Sequence, residues 1–561
     1  MNTNDMIFSS LKNANKEFHE AAECIDCKPG AEIIGGEWTT MAELGKLKKS
    51  GIPQYFDGEN ILLCPFSHLL ITGSTGTGKT ETLYKNFLKV WLNMPIELMP
   101  SLVVFDYKGD MSTTFAPVFK ERGAAVHVIN CREPYKTSRY NPLTQMYDDY
   151  TEARDIYEAL EDNRVTDILD GVKYPTVEMA CRAAKRKRLQ LLDGVERANA
   201  DIAHIVVRTP DPKDASWYEG AKTMLQAIIQ TSLRYSDDAE KTMTRDKFTL
   251  TNICNIAYST GDDCAEIIEW LEKADDIPCV KSAINSNYNI RAKQTRDSYI
   301  STLNTALGGY STNAIEAITA TSNDINLREI AGSAKPHVIF VVTDERQKTT
   351  NNICMMFINN LINELVNAAD MRASRSLARD FVILADEFAN MPAMPNISNK
   401  ITTLRSRRVW MVMAIQSIAQ LEMVYDKDVS TVIQDNCDRQ IFLGCNNDET
   451  KELFVRSMGR KIGVKSSFNI SNDGSISINK GTEDVPVIRK SDLDTLKLGE
   501  FYVRTRGSQS YKSYMLPSFM QKDIVRYPMA EDDDGEWYEP GENRYEISDS
   551  GFLKSMFMKR Y

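Results

Sequence analysis

ITGSTGTGKTET, residues 71–82, is the most informative stretch of this 561-residue chain. The apolar run SHLLIT precedes it, and ETLYKNFLKVWLN follows with helical spacing of its apolar residues, so strand, glycine-rich loop and helix come in order. Glycines let backbone N–H groups turn toward the β- and γ-phosphates, Lys79 adds a compact positive charge, and the Thr80 hydroxyl suits Mg²⁺. The predicted phosphate loop consists of Gly73, Ser74, Thr75, Gly76, Thr77, Gly78, Lys79 and Thr80. A tight turn without a ligand is the alternative, but the complete pattern favours binding of a nucleoside triphosphate.

A second motif, RDFVILADEFANMP, supplies the acidic residues that hydrolysis requires. The apolar run from Phe381 to Ala385 predicts a buried strand that delivers Asp386 and Glu387 at its carboxyl end, where open α/β sheets place their chemistry. Asp386 would hold Mg²⁺ through water, and Glu387 would be the general base for the attacking water, which favours an ATPase over a signalling GTPase. A solvated acidic pair after a core strand is the alternative interpretation.

A third strand, VWMVMAIQS, ends in Gln416, which is our candidate sensor of the γ-phosphate. It follows NKITTLRSRR, a predicted helix that carries Arg405, Arg407 and Arg408. These arginines are either a solvated helix end that complements the helix dipole or the source of an arginine finger for a neighbouring subunit. The residues alone leave both interpretations open.

The composition is that of a folded protein with more than one domain. Its net charge of -11 argues against a surface that coats nucleic acid, although a local basic channel is compatible with it. We find no apolar run of the roughly 20 residues that cross a bilayer and no signal peptide. We therefore expect a cytoplasmic protein.

With these positions set out, the chain resembles the type IV coupling proteins, the motor ATPases of conjugative DNA transfer and type IV secretion. The motifs that carry the resemblance are GSTGTGKT, VVFDYKGDM, SRYNPL, LADEFANMP, AIQSIAQLEMVYD and NCDRQIFLG. DEFAN with the downstream QSIAQL is more specific than any phosphate loop. Matching pieces extend from about Ser67 to about Tyr514.

The resemblance implies an α/β fold: a RecA-like P-loop NTPase with a mostly parallel, doubly wound sheet, interrupted by an all-α domain and assembled as a hexameric ring. The expected divisions are an N-terminal segment 1–50, a first nucleotide-binding part 51–212, the all-α domain 213–325, a second nucleotide-binding part 326–525 and an acidic tail 526–561. The expected cofactors are ATP and Mg²⁺.

The resemblance also implies further site residues. Asp106, Lys108 and Asp110 correspond to a second conserved block beside the nucleotide, although Tyr107 stands where the family usually has proline or another small residue. Asp344 matches another strand end that faces the site. Arg405, upstream of Gln416, occupies the arginine-finger position.

Two departures from the family bear on partners. Most relatives open with transmembrane helices, and this sequence shows none, so we expect recruitment to the inner face of the membrane by a separate membrane-anchor subunit, or else a soluble branch of the family. The stretch 150–212 is longer than usual and includes CRAAKRKRLQLL, which is either a solvated charged helix face or a contact for the DNA backbone. The acidic tail is either a docking segment for a partner protein or a solvated extension.

We expect ATP hydrolysis at the subunit boundaries of a homo-hexamer to drive a DNA strand, with its attached relaxase, toward a type IV secretion channel. The DNA is single-stranded in this interpretation, and contacts mainly to phosphates would make binding insensitive to base sequence. The alternatives are a soluble hexameric DNA translocase without a secretion role and a nucleotide-switched substrate receptor.

Overall fold

Strands such as SLVVFD and FVILA are apolar at almost every position, so both faces of the sheet that they form must be covered. A computed structural model of the chain describes residues 25–33, 35–208, 215–237, 242–260, 262–322, 324–344, 348–470, 476–521, 540–541 and 544. The strands are β1 (Ile25–Asp26), β2 (Glu37–Thr40), β3 (Ile52–Phe56), β4 (Asn60–Cys64), β5 (Leu69–Gly73), β6 (Ser101–Asp106), β7 (Ala125–Asn130), β8 (Ile168–Leu169), β9 (Val172–Lys173), β10 (His337–Val342), β11 (Phe381–Ala385), β12 (Val409–Ile415), β13 (Arg439–Gly444), β14 (Arg460–Ile470), β15 (Ile476–Pro486), β16 (Glu500–Thr505) and β17 (Tyr511–Tyr514).

The helices alternate with these strands in the outer parts of the chain and cluster in its middle. They are α1 (Lys85–Leu92), α2 (Asp110–Glu121), α3 (Thr144–Glu161), α4 (Val177–Val206), α5 (Ala215–Arg234), α6 (Leu250–Tyr258), α7 (Ala265–Leu271), α8 (Pro278–Ser282), α9 (Lys293–Leu307), α10 (Asn313–Thr319), α11 (Leu327–Gly332), α12 (Lys348–Asp370), α13 (Ile397–Leu404), α14 (Ile418–Asn436), α15 (Asp448–Ser457) and α16 (Lys490–Asp494). A π-helical turn, Thr80–Tyr84, leads from the phosphate loop into α1.

The main sheet has 10 strands in the order β1-β17-β16-β13-β5-β12-β11-β6-β10-β7. The strands from β13 through β7 are all parallel, whereas β16 is antiparallel to β13 and to β17. In this order β12 separates β5, which ends in the phosphate loop, from β11, which ends at the acidic pair. The α/β fold with a mostly parallel sheet is therefore confirmed.

Successive side chains of each central strand pack alternately into the two hydrophobic cores that lie on opposite faces of the sheet. In β6, Val103 and Phe105 pack with α12, α13 and the helices of the middle region, whereas Leu102 and Val104 pack with α1, α2 and the small antiparallel sheet β2-β4-β3. Each fully buried aliphatic side chain of this kind contributes about 1.5–3 kcal/mol. Coverage of both faces explains why the strands carry no alternation of polar and apolar residues.

The helical middle region lies between β7 and β10 and begins at Thr144. Its helices α3 and α4 pack along each other, and α4 also packs on α5. We therefore propose that the all-α unit starts with α3, before the expected boundary at 213, and that it ends with α11 at Gly332. The long 150–212 stretch then belongs to this unit.

Three of the five basic side chains between Arg182 and Arg188 on α4 contact neighbouring groups. Arg182 pairs with Glu178 at 2.5 Å, Lys187 pairs with Asp170 at 2.7 Å, and the Arg188 guanidinium lies 4.9 Å from the centre of the Tyr157 ring. These contacts support a solvated, internally paired helix face.

The peripheral segments are described in part. Strands β14 and β15 pair antiparallel, and the residues that join them lie outside the described part of the chain. Residues 1–24, and the acidic tail apart from 540–541 and 544, also lie outside them. In the tail, the Gly541 N–H donates to Glu316 Oε1 at 2.7 Å, and Arg544 pairs with the same carboxylate. Within the part of the chain that the structure covers, no helix is both long and apolar enough to cross a bilayer.

A buried histidine gives the fold a testable acid sensitivity. His68 precedes β5, and its Nδ1 accepts a hydrogen bond from the Met411 N–H at 3.0 Å, which ties β5 to β12. Burial lowers the pKa of His68 from 6.5 to about 4, so the unfolded chain takes up a proton there before the folded chain does. Stability linked to His68 is thus fully present above pH 6.5 and is lost as the pH falls toward 4.

We expect His68→Asn, which keeps an acceptor for Met411 but does not titrate, to flatten this dependence. Between pH 7 and pH 5 the wild-type protein should lose about 2 kcal/mol relative to the variant, measured by denaturant unfolding at each pH. If the free energies of unfolding of the wild-type protein and of His68→Asn change by the same amount between pH 7 and pH 5, the assignment to His68 is wrong.

Candidate active site

The phosphate loop lies at the carboxyl edge of the sheet, directly after β5. Gly76 and Gly78 have φ values of 85° and 84°, which lie in the left-handed region that favours glycine. Gly73 is required for space, because a Cβ there would lie 2.7 Å from Thr77 Oγ1. The loop then closes on itself as the Thr77 N–H and hydroxyl donate to the Ser74 carbonyl at 3.2 and 2.8 Å.

Lys79 connects this loop to the acidic pair. Its side chain is 6% exposed, and Nζ donates to the Gly73 carbonyl at 2.6 Å and lies 3.2 Å from Glu387 Oε1. The Thr80 hydroxyl donates to Asp386 Oδ2 at 3.3 Å, across 306 residues of sequence. The structure therefore brings the two predicted motifs together in one site.

Asp386 is almost completely buried at the end of β11. Burial, with a smaller effect of the Glu387 carboxylate, raises its pKa from 3.8 to about 6, although Lys79 and the Thr80 hydroxyl partly oppose the rise. A divalent cation beside this carboxylate would favour its ionised form. The Thr80 and Asp386 oxygens are hard ligands of the kind that Mg²⁺ takes in small number while it keeps several waters, so they fit this ion.

Glu387 is held in an uncommon backbone conformation, with φ 51° and ψ 44°. The left-handed region costs a non-glycine residue about 1–2 kcal/mol, and such strain often occurs at functional sites. The conformation directs the side chain between two partners, since Oε2 accepts from Gln416 Nε2 at 2.9 Å while Oε1 faces Lys79. Lys79, Glu387 and Gln416 thus form one connected group.

Residues that the sequence interpretation missed support Gln416. Its N–H donates to Gln420 Oε1 at 3.2 Å, and Gln420 Nε2 donates to Asn390 Oδ1 at 2.7 Å. Cys445 Sγ lies 3.3 Å from the Gln416 carbonyl. The spacing of the two glutamines in QSIAQL, four residues apart at the start of α14, was the available signal for the first contact.

Asp106 has a structural environment of its own at the end of β6. Its two carboxylate oxygens accept from the Gly109 N–H at 2.9 Å and the Ser112 N–H at 2.7 Å, so it shapes the entry to α2. Asp110 pairs with Lys85 at 2.7 Å and so fixes α2 against the helix that follows the phosphate loop. Direct contact of Asp106 with a nucleotide stays a prediction.

Gly444, the last residue of β13, also supports the loop and carried no sequence signal. Its carbonyl accepts from the Ser74 N–H at 2.8 Å. Its φ of 147° favours glycine, and a Cβ would lie 3.1 Å from Thr77 Cγ2. β13 therefore positions the phosphate loop from the side opposite to β12.

The family model described as "Type IV secretory system Conjugative DNA transfer" matches residues 13–500. The chain belongs to this family. No curated protein sequence matches it. Among solved structures it is similar to the bacterial conjugative coupling protein TrwBdeltaN70 in complex with sulphate, with a TM-score of 0.58, 14% identity and coverage of 91% of this chain and 99% of that chain.

Two nucleotide complexes of the plasmid coupling protein TrwB are similarly related. The complex with the ATP analogue ADPNP has a TM-score of 0.57, 14% identity and coverage of 91% of this chain and 99% of that one. The complex with ADP and Mg²⁺ has a TM-score of 0.55, 14% identity and coverage of 88% and 96%. These similarities support the RecA-like P-loop fold in this member of the conjugative DNA-transfer family.

Arg405 lies away from this site in its own chain. It precedes β12 and therefore lies at the amino edge of the parallel sheet, whereas the phosphate loop lies at the carboxyl edge. The side chain is 62% exposed, and Nη1 lies 2.9 Å from Asp438 Oδ2. Within the chain Arg405 therefore does not reach the phosphate loop, and its role in trans stays a prediction.

Gly444→Ala should lower the affinity for an ATP analogue by about tenfold, or 1.4 kcal/mol, because the added methyl group displaces Thr77 and the Ser74 contact. Binding can be measured by calorimetry with the intact protein. Gly459→Ala is the matched control, since Gly459 also has a positive φ, of 94°, but a Cβ there meets nothing within 4 Å. Equal losses in the two variants would rule out a specific role for Gly444.

Proposed function

We propose that this member of the conjugative DNA-transfer family is an ATPase that moves DNA toward a type IV secretion channel. The observation that carries the proposal is the convergence of Lys79 and Thr80 with Asp386, Glu387 and Gln416 at one edge of the sheet. TrwB has been solved in complex with ADPNP, with GDPNP, and with ADP and Mg²⁺, which supports a nucleotide at the corresponding loop here.

In this mechanism the loop residues Gly73–Thr80 bind the triphosphate through backbone N–H groups, and Lys79 adds positive charge at the phosphates. Thr80 and Asp386 would hold Mg²⁺, which neutralises phosphate charge when it is bound. Glu387 accepts the proton of the attacking water. Gln416 orients the Glu387 carboxylate through their hydrogen bond and would sense the γ-phosphate from this position.

We further propose that the motor is a homo-hexamer in which Arg405 acts on the neighbouring site. Its exposure and its position at the sheet edge remote from its own phosphate loop support this role. The proposed partners are DNA with its relaxase, components of the secretion channel and a membrane-anchor subunit that recruits the motor to the inner face of the membrane. Movement requires that hydrolysis in one subunit depend on its neighbour, which an arginine supplied in trans provides.

Glu387→Gln should reduce ATP turnover by about 10²–10⁴-fold while nucleotide binding persists, because the amide cannot accept the proton of water. The measurement is phosphate release by the purified chain without DNA, with single-stranded DNA and with duplex DNA. Lys79→Ala controls for contaminating activity. Stimulation by DNA supports a motor, whereas unstimulated turnover together with cargo binding that survives Glu387→Gln would indicate a substrate receptor.

Arg405→Ala should lower turnover by about 10³-fold if the arginine completes the neighbouring site. Mixing Arg405→Ala subunits with Lys79→Ala subunits should then restore activity to about a quarter of the wild-type rate, since some boundaries join an intact loop to an intact arginine. Arg407→Ala is the matched control, because Arg407 lies beside it and pairs with Asp370 at 2.9 Å. A mixture as inactive as its components would exclude action in trans.

A further inference from the structure

A cavity of about 510 Å³ opens at the edge of the main sheet where the parallel strands begin, opposite to the edge that carries the phosphate loop. It is bounded by the end of α15, the start of β14 and the turn that joins β16 to β17. β16 runs antiparallel to β13, and Thr505 near the turn pairs with Arg439 at the start of β13. The cavity therefore lies at the amino edge, where Arg405 also lies.

The side chains that line this cavity are strongly basic. They include Arg460, Lys461, Arg504 and Arg506, and no carboxylate is among the lining residues that the structure describes. Arg460 pairs with Asp484 at 2.8 Å, but both side chains are about 60% exposed, so this pair is weak and exchangeable. In the described part of the chain, the other three cations form no ion pair. Such a concentration of positive charge on a chain of net charge -11 creates a local positive potential that attracts anions.

The other groups around the cavity suit phosphate oxygens. Ser508 adds a hydroxyl donor, and the turn passes through Gly507 at a φ of 70°, which leaves its backbone open to close approach. Arginine guanidinium groups present paired donors that match a phosphate in two-point geometry. We propose that this cavity binds the phosphodiester backbone of the transported DNA. The inference rests on the proposed motor function and adds a place where the strand is held.

The cavity is connected to the candidate finger through one residue. The Arg506 N–H donates to the Asp438 carbonyl at 2.8 Å, and the Asp438 carboxylate binds Arg405. A phosphate held by the turn therefore acts on the segment that anchors Arg405. This contact gives DNA binding a direct route to the residue proposed to act in the neighbouring site.

The shape of the cavity favours a nucleic acid strand over a lipid surface. Binding to anionic lipid uses basic residues together with exposed apolar side chains that enter the bilayer. Here the charges line a recess, and its apolar lining is limited to Met458 and Val487 among larger side chains. The phosphates of a nucleic acid strand can bind in such a recess without apolar anchors, and contacts of this kind do not depend on base sequence.

The test compares Arg504→Ala/Arg506→Ala and the single variant Arg506→Glu, on the exposed turn, with the wild-type protein. Affinity for two labelled single-stranded oligonucleotides of unrelated sequence is measured by fluorescence anisotropy over a range of NaCl concentrations. We expect the affinity of the cavity variants for both oligonucleotides to fall by about tenfold. The slope of log affinity against log salt concentration should decrease by the equivalent of about one to two phosphate contacts. Arg456→Glu is the matched control, because Arg456 lies near the cavity on α15 but does not line it.

Each outcome is decisive. The proposal is supported if both cavity variants lose affinity for single-stranded DNA while Arg506→Lys and Arg456→Glu keep it. If the wild-type protein binds DNA and both variants bind as tightly, the cavity is excluded while the motor function stands. If the wild-type protein shows neither DNA binding nor DNA-stimulated ATP turnover, the proposed function fails together with the cavity. If the variants instead lose binding only to vesicles that contain anionic phospholipid, the occupant is a membrane surface and the proposal is overturned.

Discussion

The buried ammonium group of Lys79 is the constraint on which the site depends. A cation taken out of water must be compensated, and Lys79 finds the Gly73 carbonyl and the Glu387 carboxylate. Both partners are available only because β5 and β11 are placed on either side of β12, with their carboxyl ends at one edge. The strand order thus has a direct electrostatic consequence at the site.

The same group links the site to the rest of the sheet. Glu387 shares its two oxygens between Lys79 and Gln416, so a change at one partner alters the other. Gln416 is connected through Gln420 to Asn390 after β11, and Gly444 of β13 holds Ser74 of the phosphate loop. At the opposite edge Asp438, directly before β13, joins Arg405 to the basic cavity. β12 and β13 therefore connect the nucleotide edge with the edge proposed to contact DNA and the neighbouring subunit.

The sequence predicted features whose signals are local. The strands β5, β11 and β12 were predicted from short apolar runs, and the phosphate loop and acidic pair from residue types directly after two of them. Features that depend on distant contacts could not be predicted. The Arg405–Asp438 pair and the contact of Gly444 with Ser74 each join residues whose proximity follows only from folding. The proposed start of the helical unit at Thr144 had no sequence signal of its own, because a charged, amphipathic stretch resembles a surface insertion as much as a packed helix pair.

The most direct test of the central claim is an experimental structure of the protein with a non-hydrolysable ATP analogue and Mg²⁺. We expect the triphosphate within Gly73–Thr80, Lys79 Nζ against a phosphate oxygen, and the metal ion beside Thr80 and Asp386, with Glu387 facing the terminal phosphate. A nucleotide bound elsewhere, or bound in the loop with the Asp386 and Glu387 carboxylates directed away from it, would contradict the account.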